Sequence, residues 1–91
     1  MPHYALICRD KPASREIRER NRDDHLAYIA ETGVVEQAGP LLDDDGNMIG
    51  SLLILDVPDK EAATRWGGSD PYFLAGLFES VTLHRWKKVV G

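Results

Sequence analysis

The chain has 91 residues, 43% hydrophobic and 29% charged, with a net charge of -4. That is the composition of one globular domain, whose core is large enough to fold and small enough to gain from self-association. Scattered Lys and Arg on an acidic chain exclude nucleic acid as an expected partner; no apolar run approaches membrane-spanning length, and the N-terminus shows no signal-peptide pattern.

Residues 3 to 8 read as a short apolar first strand, ended by Asp10, Lys11 and Pro12. Cys8, the single cysteine, lies in it and is expected as a small buried core residue. With no partner for a disulfide, it fits a reducing, cytoplasmic setting. Ser14 is placed to cap a helix running to about Thr32, with Gly33 as its stop. Val34 to Ala38 reads as a second strand, closed by Gly39 and Pro40. The run Asp43-Asp44-Asp45-Gly46-Asn47 is a turn, with its reversal at Asp45-Gly46. Ser51 to Val57 is a third strand. Asp59 caps a second helix that Gly67-Gly68 terminate. Asp70-Pro71 has the pattern of an N-cap and first position of a short further helix, and Val81 to Trp86 is the last strand.

Strand, helix, strand, strand, helix, strand predicts an α+β ferredoxin-like sandwich over residues 1–91, a four-stranded antiparallel sheet with helices on one face. Tyr4-Ala5-Leu6-Ile7 and Leu52-Leu53-Ile54-Leu55 are apolar on both faces of their strands. A sheet covered on one side only should be polar on the other. The second face therefore calls for a cover, and the simplest one is a second copy, giving a homodimer.

The first predicted helix carries one histidine out of place. With Ile29 as the inward direction and about 3.6 residues per turn, Arg18, Arg22 and His25 all fall within about 40° of the core-facing stripe. A stripe that turns cationic partway along marks the edge of a cleft. The plainer reading has the arginines snorkelling past the sheet edge and His25 as a hydrogen-bonded boundary residue. Histidine is also the side chain best suited to proton transfer near neutral pH, especially when a carboxylate holds one ring nitrogen. Asp23 and Asp24 point elsewhere on the helix, and no local pattern supports Glu79. Asp70, at the end of the second helix, is the better placed carboxylate, and one carboxylate can serve both as cap and as partner.

Other signals carry less. Asp43, Asp45 and Asn47 have the alternation of a calcium loop, but Met48 stands where its Gly belongs and Ile54 replaces the closing Glu. His3, Cys8 and His84 show no ligand spacing with His25, so no metal is expected. Trp66 and Trp86 are expected in the core or at a dimer interface. No phosphate loop or nucleophile elbow is present, and no cofactor is expected.

Taken together, Tyr4-Ala5-Leu6-Ile7-Cys8-Arg9-Asp10-Lys11-Pro12, Arg22-Asp23-Asp24-His25-Leu26-Ala27-Tyr28, Gln37-Ala38-Gly39-Pro40-Leu41, Gly50-Ser51-Leu52 and Asp70-Pro71-Tyr72-Phe73-Leu74-Ala75-Gly76-Leu77 resemble the YCII-related (YciI-like) domain family. The resemblance spans nearly the whole chain. It implies a ferredoxin-like dimer of the dimeric α/β-barrel type, with an active site around a His–Asp pair. Carried over, these are His25 and Asp70; Arg22 also matches, and Ser69 and Tyr72 flank the aspartate as substrate-binding candidates. One branch of the family resembles dehydrochlorinases acting on chlorinated hydroxyquinols. Gly67-Gly68, just before Ser69, departs from the unbroken helix end expected there.

Two functions follow as expectations. One is a small cofactor-independent enzyme, a lyase, isomerase or dehydrochlorinase, moving protons on a small ring-containing anionic or phenolic substrate. The other is a non-catalytic dimeric small-molecule-binding or accessory module, since a fold does not fix a function.

Overall fold

The computed structural model describes residues 2–91. Its elements run β1 (His3–Asp10), α1 (Arg15–Thr32), β2 (Val35–Leu42), β3 (Met48–Asp56), α2 (Lys60–Gly68), α3 (Pro71–Leu74) and β4 (Phe78–Trp86). The sheet is antiparallel throughout, in the order β2-β3-β1-β4. This is the ferredoxin-like α+β arrangement that the order of apolar runs predicts.

The core follows from the two-residue period of a strand. Tyr4, Leu6 and Cys8 of β1 and Leu53 and Leu55 of β3 form one cluster with Val57 and with Ala63 and Trp66 of α2. Leu53 and Leu55 are fully buried, each contributing about 1.5–3 kcal/mol. Register places Ala5 opposite Ile54 and Ile7 opposite Leu52, so these four share the other face of the sheet. That face is apolar, and Leu52 on it is exposed. Trp66 is a core residue, its indole N–H donating to Thr32 Oγ1 at 2.9 Å, whereas Trp86 is partly exposed. No helix among the described residues is long and apolar enough to cross a membrane.

Several boundaries differ from the sequence reading, each for a local reason. β2 does not close at Gly39-Pro40 but runs to Leu42, with Pro40 paired to Ser51. It is an edge strand, where the missing proline N–H leaves no ladder bond unmade. β3 starts three residues early because the turn is tight: Asp43 N–H donates to Asn47 O at 2.9 Å and Leu42 pairs with Met48. Asp43 Oδ1 accepts from the N–H groups of Asp45 and Asn47, which holds the Asp43 carboxyl below its ordinary pKa; the acidic run is a self-bonded turn. β1 extends to Asp10 and β4 back to Phe78 through a register shift that pairs those two residues. α2 is not ended by its glycines; both lie in its last turn and Ser69 is the C-cap. A Cβ on Gly67 would stand 3.3 Å from Leu6, so the glycine lets the helix lie close on β1. Ser14 is the N-cap of α1, but its hydroxyl donates to Lys11 O at 2.6 Å instead of accepting from the helix.

Candidate functional site

α1 brings Arg18, Arg22 and His25 to one face, since residues three or four apart stack on a helix. His25 and Asp70 are both buried, at 7% and 1% exposure. Forty-five positions apart in sequence, they meet with His25 Nδ1 at 2.7 Å from Asp70 Oδ1. Asp70 is also the N-cap of α3, the same Oδ1 accepting from Tyr72 N–H at 3.0 Å. The cap and partner roles coincide on one oxygen. Asp70 Oδ2 has no hydrogen-bond partner among the described residues.

Tyr72 completes the support. Its ring stacks on the His25 imidazole with centroids 3.9 Å apart and planes 13° from parallel. One hydrogen bond and one stacked face fix the imidazole orientation. A carboxylate oxygen only accepts, so in the neutral ring the proton belongs on Nδ1 and the lone pair on Nε2. Nε2 has no hydrogen-bond partner among the described residues. His25 lines a cavity of about 300 Å³ between α1 and the β2–β3 hairpin, with Arg22, Tyr72, Pro40, Ser51 and Leu53 on its walls.

Arg18 is not a snorkelling side chain. It is 5% exposed. Nε and Nη2 grip the two oxygens of Asp10 at 2.9 and 3.0 Å, and Nη2 also reaches Gly50 O and Ser51 Oγ, each at 2.9 Å. The guanidinium lies 4.9 Å from the centroid of Tyr72. Burial works to lower the Arg18 pKa, but its bonds to Asp10 and the charge there outweigh that and raise it. Burial raises the Tyr72 phenol pKa, against the opposing charges of Arg18 and Arg22, so Tyr72 keeps its proton at neutral pH. Cys8 is no nucleophile: burial first, then the carboxylates of Asp70 and Asp10, push its thiol up to about 12.

Of the residues singled out from sequence, His25, Asp70 and Tyr72 come together and Arg22, itself exposed, joins them at the cavity wall. Ser69 does not. It is an exposed α2 C-cap outside that cavity, beside the Tyr28 hydroxyl. The sequence reading missed the Asp10–Arg18–Ser51 cluster, having taken Asp10 for a strand terminator. A larger cavity of about 430 Å³ lies beside Asp10, Ser14, Arg15 and Met48 and shares Arg18 with the first. It lacks the histidine, so the chemistry favours the smaller one.

The same architecture occurs in known proteins. The chain matches the YCII-related domain over residues 2–87. It is 35% identical over 95 residues to Protein YciI of Escherichia coli O6:H1, covering 94% of this chain and 97% of that one. It is 30% identical over 96 residues to an uncharacterized protein of Haemophilus influenzae, covering 96% and 98%. Among solved structures it is similar to the 5-chloro-2-hydroxyhydroquinone dehydrochlorinase TftG of Burkholderia phenoliruptrix AC1100, in complex with 2,5-dihydroxybenzoquinone, with a TM-score of 0.84, 31% identity and 93% of each chain covered. An antibiotic biosynthesis monooxygenase structure, with a TM-score of 0.61 and 11% identity, shares the fold alone. With its fold, its ordered sequence blocks and these likenesses in agreement, the chain belongs to the YCII-related domain family.

Proposed function

We propose that the protein is a small cofactor-independent enzyme that moves a proton on a ring-containing anionic or phenolic substrate, in the manner of a dehydrochlorinase. The observation that carries this reading is the 2.7 Å contact of His25 with a buried Asp70, which leaves Nε2 unengaged in a side chain that lines a cavity of about 300 Å³. His25 is the general base and then the general acid, and Asp70 orients it and stabilises the imidazolium. Arg22 binds the oxygen on which negative charge develops. Tyr72 holds the imidazole plane and offers a neutral hydroxyl. Ser69 has no role in this reading. In an elimination, Nε2 takes the proton from the substrate, the freed electron pair forms the new double bond, and chloride leaves to solvent. The dehydrochlorinase likeness and the quinone ring bound in that relative support the substrate class. The same reading includes a homodimer formed through the apolar sheet face opposite the helices.

Release of chloride from a chlorinated hydroxyhydroquinone, followed together with the quinone absorbance, tests it. Turnover by the unaltered chain and none by a folded His25→Ala variant is the expected result. Turnover undiminished in His25→Ala overturns the mechanism, and saturable binding without turnover assigns the protein to the non-catalytic modules.

A further inference from the structure

We infer that His3, Glu36 and Asp56 form a site for one divalent transition-metal ion on the open face of the sheet, separate from the His25 cavity. Their nearest ligand atoms all lie within 4.8 Å of one another. None of the three lines the cavity that holds His25. Spacing along the chain hides the group, because each residue comes from a different strand. His3 on β1 pairs directly with Asp56 on β3, and both fall on the face opposite Tyr4 and Leu55.

Glu36 arrives by a backbone irregularity. Val35 pairs with Leu55 and Gln37 with Ile54, so Glu36 is the extra residue of a bulge. A bulge breaks the ladder and re-aims a side chain. Here the re-aimed carboxylate forms an ion pair with His3 Nε2. The histidine ring is separately oriented by Trp86, edge to face at 6.1 Å and 86°. A plain ion pair needs one carboxylate. This imidazole has a second one, that of Asp56, within reach.

One imidazole nitrogen and two carboxylate oxygens are the donor set of a zinc-type ion, with water in the fourth position. Ligand bonds of about 2.0–2.2 Å bring such donors roughly 3–3.5 Å apart. Glu36 is exposed and His3 only partly buried, so small rotamer changes close the remaining gap. The ion would tie β1, β2 and β3 together where edge strand β2 begins. It would lie apart from the His25 cavity, which none of the three residues lines.

The test is calorimetric titration of the chelator-stripped full chain with zinc chloride, repeated with cobalt(II) to read its visible absorption. One ion per chain is expected, with affinity at least about tenfold weaker in Glu36→Gln and in Asp56→Asn and unchanged in His84→Gln. Zinc should also shift the His3 ring resonances of the unaltered chain, a readout that does not depend on any variant folding. No binding at millimolar zinc, affinity unchanged in both carboxamide variants, or unmoved His3 resonances would each overturn the proposal.

Discussion

Replacing Asp70 with Asn takes away one charge and leaves almost every atom in place. The orientation of the new amide is decided by the cap. Tyr72 N–H lies 3.0 Å from Oδ1 and can only donate, so the amide must turn its oxygen there. That same oxygen then still accepts from His25 Nδ1, 2.7 Å away, and the tautomer survives. The amide nitrogen falls at the Oδ2 position, buried and without a hydrogen-bond partner among the described residues. Two unmatched N–H donors there lower stability by about 1–3 kcal/mol. The larger effect is on the proposed reaction. Opposite charges about 4 Å apart at an effective dielectric constant of 20 attract by roughly 4 kcal/mol. The imidazolium formed during proton transfer loses that attraction, so kcat/KM falls about 10³-fold while KM changes little. The assay is initial-rate chloride release, paired with the low-field proton resonance of Nδ1–H. Asp70→Asn keeps that resonance, and Asp70→Ala loses it. Wild-type turnover in Asp70→Asn, or no such resonance in the unaltered chain, refutes the reasoning.

Asp10→Ala leaves the Arg18 guanidinium buried without its carboxylate. Removing one partner of a buried pair lowers stability by about 3–5 kcal/mol, read as a shifted urea midpoint, and an unchanged midpoint counts against the pair. Alkaline titration should destabilise the fold. The Cys8 pKa is raised from 9.0 to about 12 in the folded chain, so its contribution is intact below pH 9 and is lost as pH rises through that window. The loss is on the order of 4 kcal/mol, with Tyr28 and Tyr72 displaced in the same direction. A folded Cys8→Ala variant should show a shallower slope, and equal slopes would remove burial of the thiol as the cause. Sedimentation equilibrium at micromolar concentration should give the mass of two chains. A single-chain mass, or a dimer that Leu52→Lys on the open face does not weaken, rejects pairing through that face.

The fold was legible because each layer had its own period. Short unbroken apolar runs marked β1 and β3, and Gly33, at φ 64°, sits in the left-handed conformation of a helix stop. Edge strands were harder: Pro40 looks like an end until one knows that its strand has a neighbour on one side only. The His25–Asp70 pair was legible as two separate oddities, a histidine on a core stripe and an aspartate before a proline. Their meeting was not, because nothing local encodes a contact across 45 positions. Arg18 and Asp10 failed for the same reason. Each has an ordinary local meaning, and only the Gly50 carbonyl and Ser51 hydroxyl beside them turn two surface-type charges into a buried knot.

The single oxygen that both starts α3 and holds the imidazole divides the cavity into two kinds of wall. On the α1–α3 side, moving Asp70 to admit a different substrate would unfasten Tyr72 from its helix start and His25 from its tautomer together. Changes there act on shape and chemistry at once. The opposite wall includes Ala38, Gly39 and Pro40 of an edge strand bonded to one neighbour, β3. Side chains there can grow, shrink or acquire charge without altering the His25–Asp70–Tyr72 group. On the proposed function, substrate range should therefore diversify along β2 while His25 stays fixed, and a library confined to positions 38 and 40 is the economical way to shift it.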